Sequence, residues 1–159
     1  MAKLTAKIVE RAESAVSRRI LLSIPDGRGI DLVCVTLTRE QVGRARKGAL
    51  RRWPKSDDDV QRDVQFCSAL LAEATVQVLV DSEVWETDEG DTLTFKSRDE
   101  WPSLARKGMP APTTASEAAR AVIGRDGDVQ TLGNALLKES GFASNGSSVV
   151  SDEGEENPT

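Results

Sequence analysis

Asp126, Gly127 and Asp128 open the stretch GRDGDVQTLGNALLKESGF, residues 124–142, in the manner of a calcium-binding loop. Such a loop needs oxygen ligands at its first, third and fifth positions, a glycine at the sixth and a bidentate acid at the twelfth. Counted from Asp126, these later places fall to Gln130, Thr131 and Leu137, so the spacing fails as a metal site. A helix accounts for the same residues. Asp128 would cap the free amides of its first turn, while Val129, Leu132 and Leu136 share a face. Gly141 then supplies a left-handed stop, and Phe142 folds back on the last turn.

The remaining chemistry is sparse. The chain has no histidine, which removes the most common general acid/base and metal ligand together with every His-dependent triad. Cys34 and Cys67 form no CxxC pair; two buried, reduced thiols are the plainer reading. No serine stands in G-x-S-x-G, and DGRG and GRDG lack the spacing of a phosphate loop. Six acids lie between Asp81 and Asp91 with no base among them. They keep no known ligand spacing, which favours a solvated acidic turn. The expectation is a protein without catalytic residues, cofactor or metal.

The elements that would position side chains are easier to read. The 159 residues suit a single domain. Aromatic content of 4%, with no tyrosine, leaves the core to Leu, Val, Ile and Ala and favours helices. Leu4, Ile8, Ala12 and Val16 have helical spacing. RILLSI and IDLVCVTL, joined by PDGRG, read as a β-hairpin. Thr38 and Gln41 form a capping box that opens a helix with Val42, Ala45 and Ala49 inward, and Trp53-Pro54 ends it. Val60, Val64, Cys67, Leu71, Ala74 and Val78 recur at steps of four and three, predicting a central helix to about residue 75. VQVLV either finishes that helix or becomes a strand, and EVWETDEGDTLTF suits a second hairpin. A Pro-punctuated connection with a short turn near Trp101 leads to a second capping box, Thr114 with Glu117, whose helix Gly124 stops. The predicted fold class is α+β, mostly helical: an N-terminal β-hairpin packed on a bundle of about four to five helices over residues 1–142. Residues 143–159, with four acids and no base, read as a disordered acidic tail.

Charge divides the function classes. A formal net charge of -5 argues against a dedicated nucleic-acid binder. Yet the helix after Thr38 carries Arg39, Arg44, Arg46, Lys47, Arg51 and Arg52, with Lys55 beyond. This face either grips phosphates, as in a small nucleic-acid-associated regulator, or is solvated and paired with the protein's own acids in SDDDVQRD. No segment has the length and apolarity of a signal peptide or membrane span, so the expectation is a soluble cytoplasmic protein.

The order of elements has a familiar shape: KIVERAE, the hairpin, TREQV opening a charged helix, a long helix around FCSALLAEATVQ, an acidic connection, and SEAARAVIGRDGDVQTLGNALLKESGF closing on Gly141-Phe142. Over roughly residues 5–142 this resembles the tail assembly chaperones of long-tailed bacteriophages, particularly the PBSX-type and actinobacteriophage forms. The resemblance implies a non-enzymatic protein of the bacterial host cytoplasm. It would bind and solubilise the long helical tape-measure protein, help recruit tail-tube subunits, and be absent from the mature virion. A structural tail or connector subunit is the neighbouring alternative, and a homo-oligomer is left open. A holder of amphipathic helices needs an apolar groove bounded by charge. The candidate partner-binding residues are Trp53, Phe66, Leu70, Trp101, Leu136, Leu137 and Phe142. The competing reading of the same side chains is plain core.

Overall fold

The computed structural model describes residues 2–142; the predicted tail at 143–159 lies outside the described residues. The fold is α+β and mostly helical, with five α-helices, four strands and two short 3-10 helices among the described residues. In chain order these are α1 (Lys3–Val16), β1 (Arg19–Ser23), β2 (Ile30–Val35), α2 (Arg39–Arg52), α3 (Asp59–Ala74), β3 (Thr75–Val80), β4 (Glu83–Val84), α4 (Ala115–Ile123) and α5 (Asp126–Glu139). Helix α3 is the hub: it packs against α2, α4 and α5, while the inner face of the sheet rests on α3 and α5.

The hairpin grows into a four-stranded antiparallel sheet of order β1-β2-β3-β4. Alternation decides its faces: Ile20, Leu22, Leu32 and Cys34 are buried, whereas Leu21 on the opposite face is 61% exposed. The Asp-Gly turn places Asp26 and Gly27 at φ 71° and 63°, the left-handed region such a pair tolerates.

VQVLV is a strand. Helix α3 gives way at Ala74, where the β-branched residues Thr75, Val76, Val78 and Val80 favour a strand and β2 pairs with it. Thr75 Oγ1 donates to the Leu71 carbonyl at 2.6 Å, occupying an acceptor of the last turn. Of the six-residue apolar run, Val64, Cys67, Leu71 and Ala74 are buried on α3, but Val60 is exposed and Val78 belongs to β3. Asp81 and Ser82, both at positive φ, turn the chain into β4. The acidic segment then forms the second hairpin: Leu93 N–H donates to the Trp85 carbonyl and Thr87 N–H to the Asp91 carbonyl, each at 2.9 Å. Among the described residues its acids bring together no group of three metal-ligand side chains, and no helix is long and apolar enough to cross a membrane.

The capping boxes form as their spacing dictates. Gln41 N–H donates to Thr38 Oγ1 at 3.2 Å while Gln41 Oε1 accepts from Thr38 N–H at 2.9 Å. At α4, Glu117 N–H donates to Thr114 Oγ1 at 3.1 Å, but the reciprocal bond runs from Thr113 N–H to Glu117 Oε1. α5 starts earlier than expected. Arg125 occupies the cap position, so Asp128 lies inside the first turn, where its carboxylate accepts from Arg125 Nε at 2.8 Å. Its end matches the Schellman pattern: Gly141 (φ 92°) N–H donates to the Lys138 carbonyl and Phe142 N–H to the Leu137 carbonyl.

The carboxylates of the apparent calcium loop are therefore engaged by arginine. Asp126 takes Arg120, and Arg125 holds Asp128 and also Asp26 of the hairpin turn. From the same turn Arg28 donates to the Ile123 and Val122 carbonyls at 2.6 and 2.7 Å, and Arg106 reaches the Ala121 carbonyl at 2.8 Å. Together they cover the carbonyl end of α4, where the helix dipole favours cations. DGRG and GRDG thus meet in space as a clasp between hairpin and α4–α5 corner.

Helix α1 stands apart from this packing. It forms as its spacing predicts, yet none of its residues is buried, so the bundle consists of α2 to α5.

Candidate partner-binding groove

Between α2 and α3 lies a groove of about 460 Å³. Its apolar lining comes from Ala49 and Leu50 on α2 and Phe66 on α3; its charged lining comes from Arg46, Asp59, Arg62 and Asp63. The spacing explains the arrangement. Positions 46, 49 and 50 fall on one side of α2, and 59, 62, 63 and 66 on one side of α3. Leu50 is 52% exposed, and Phe66 only 4%, so Phe66 forms floor and Leu50 lip.

The charged groups are held in place. The Arg46 guanidinium lies 5.5 Å from the Phe66 ring centroid, within cation–π range, and partial burial lowers its pKa from the ordinary value. Arg62 donates to the Trp53 carbonyl and to Asp59 Oδ1, both at 2.8 Å, and also to the Lys55 carbonyl. One side chain thereby ties down the α2–α3 connection. Asp63 Oδ2 accepts from Gln130 Nε2 at 2.7 Å, anchoring the groove wall to α5.

Of the seven candidates read from sequence, Phe66 lines this groove and Trp53 joins it through Arg62. Trp53 is half-buried at the end of α2, with the Arg52 guanidinium 6.0 Å from its ring. Leu70, Leu136 and Leu137 are fully buried; they hold α3 against its neighbours and offer no surface to a partner. Trp101 and Phe142 pack partly buried against the core, and Trp101 Nε1 donates to the Phe95 carbonyl at 3.0 Å. Neither lines the groove. Leu50, Ala49 and the four charged residues were missed. Leu50 carried a signal: it is the large apolar residue on an otherwise basic face, four positions from Arg46.

That basic face is solvated, but the expected pairing with nearby acids is not seen among the described residues. The acids of SDDDVQRD do not neutralise it: Asp59 pairs with Arg62, and the α2 ion pair present is Arg52 with Glu117 at 4.0 Å. Among the described residues, Arg39, Arg44, Lys47 and Arg51 are exposed and form no ion pair. Geometry of this kind can seat an apolar side chain between fixed charges. Compared with protein-family models, curated proteins and solved structures, the chain matches none.

Proposed function

We propose that this protein is a tail assembly chaperone of a long-tailed bacteriophage, a non-enzymatic protein that holds the helical tape-measure chain in solution while tail-tube subunits gather around it. The observation that supports this reading is the α2–α3 groove, in which Phe66, Ala49 and Leu50 form an apolar bed among Arg46, Arg62, Asp59 and Asp63. An amphipathic helix laid there buries apolar side chains, while the mixed charges set its register. The chaperone works in the host cytoplasm and is left out of the finished particle.

Co-expression tests it. The tape-measure protein should be soluble beside this chain and pellet without it. Leu50→Asp should return it to the pellet, because a charge at the half-exposed lip blocks the bed without disturbing the fold. Equal solubility with and without the chain overturns the reading, and finding the chain as a stoichiometric component of purified particles favours a structural subunit.

The exposed Arg39, Arg44, Lys47 and Arg51 of α2, which form no ion pair among the described residues, favour a second reading, a regulator that grips phosphates. Its mark is duplex DNA binding that weakens steeply as salt rises, whereas apolar capture of a helix changes little.

A further inference from the structure

Helix α1 exposes the side chains that a helix normally hides. Leu4 is 70% exposed, Ile8 and Val16 68% each, and nothing on the helix is buried. At 100° per residue these three side chains fall within an arc of about 120°. A 14-residue helix is only marginally stable alone in water, so this stripe calls for a partner surface. The domain itself does not supply one. Thr36 Oγ1 donates to the Val16 carbonyl, and Arg18 Nη2 donates to the Glu139 carbonyl at 2.6 Å and its Oε1 at 2.9 Å. The joint between α1 and β1 is thereby pinned to β2 and α5, with the apolar stripe left in solvent.

The charges bordering the stripe indicate what covers it. Lys7 and Arg11 follow one edge, Glu13 the other. When two such helices pair side by side in the same direction, each basic edge meets its partner's acidic edge; in opposite directions, like edges meet. We infer that α1 is a self-association element, and that two copies of this chain pair in parallel through Leu4, Ile8 and Val16, with Lys7 and Arg11 beside the partner's Glu13. A contact this short falls below the roughly 1,200 Å² of a stable interface, which makes the dimer reversible. Parallel pairing leaves both domains at the same end, so two α2–α3 grooves are available to one long partner, a gain in avidity without a new contact. The pairing stands on α1 alone and holds whatever fills the groove.

Sedimentation equilibrium of the full chain from about 1 to about 100 µM should show a monomer–dimer equilibrium. Ile8→Glu should weaken it by about tenfold or more with an unchanged circular-dichroism melt, since Ile8 is not packed in the domain. A chain that stays monomeric throughout, or an Ile8→Glu variant that dimerises equally well, overturns the inference. Orientation has its own readout. Ala15→Cys should form a disulfide with itself under mild oxidation, whereas a mixture of Leu4→Cys and Ala15→Cys should give no preferential cross-product. Preferential cross-linking of 4 to 15 overturns the parallel arrangement. Cys34 and Cys67 are buried and stay silent in this assay.

Discussion

Cys34 and Cys67 sit at the sheet–helix and helix–helix contacts with no exposed surface. Burial pushes the Cys34 thiol from the ordinary 9.0 up to about 11, against a smaller lowering by the Thr75 hydroxyl. Burial raises Cys67 further, and the Asp63 charge adds to it. Both thiols therefore stay protonated in the folded protein at pH values where they ionise in the unfolded chain. As pH rises past that ordinary value of 9.0, the unfolded state loses protons first and stability falls, by at most about 1.4 kcal/mol per pH unit for each thiol. This contribution is complete below the unfolded value and lost as pH climbs toward the folded one. The urea midpoint should be lower at about pH 10 than at about pH 8. At the lower pH Ellman's reagent should leave the native protein untouched and titrate both thiols after unfolding; rapid reaction of the native chain would contradict the burial. The reduced, buried state of the pair was legible because neither lay in a ligand motif. The Arg125–Asp26 pair was not, since Asp26 stands 99 residues before Arg125 and no local pattern relates them.

Between α3 and α5 the helices approach so closely that a Cβ on Gly133 would lie 2.5 Å from Cys67 Cβ and 3.0 Å from its Cα. Neither atom belongs to a flexible tip, so the backbones themselves would have to part. Gly133→Ala should cost about 1–3 kcal/mol, despite alanine's better helix propensity, and a denaturant titration reads the difference. A variant as stable as the parent would mean that α3 and α5 can separate freely. The helix ends were readable because capping is local: Thr38 finds Gln41 and Thr114 finds Glu117 three residues away. Strand β3 was not settled by its own residues, for VQVLV suits both periods. The adjoining β2 decides it, with Leu32 opposite Val78 and Val33 opposite Gln77. Gly133 showed its purpose only once α3 lay against it.

At the scale of the molecule, a closed unit of sheet and bundle carries one helix outside its packing. Removing residues 1–16 should shift the unfolding free energy, measured at sub-micromolar protein, by no more than about 0.5 kcal/mol, the range of surface changes. A larger loss would show that α1 supports the domain directly. Sequence patterning gave the fold class because the stripes of α2, α3 and α5 are long and periodic. It did not tell the sealed candidates from the groove-lining one, since hydrophobicity alone does not separate Leu70, fully buried in the packing of α3, from Phe66, one turn earlier at the groove floor. Which side of a helix stays uncovered depends on where its neighbours stop. Helix α3 passes into β3 between Ala74 and Thr75 with no loop to take up slack. The two elements therefore share one taut backbone: any shift of the Ala74 end of α3 passes straight into β3, the inner strand held by β2 on one side and β4 on the other.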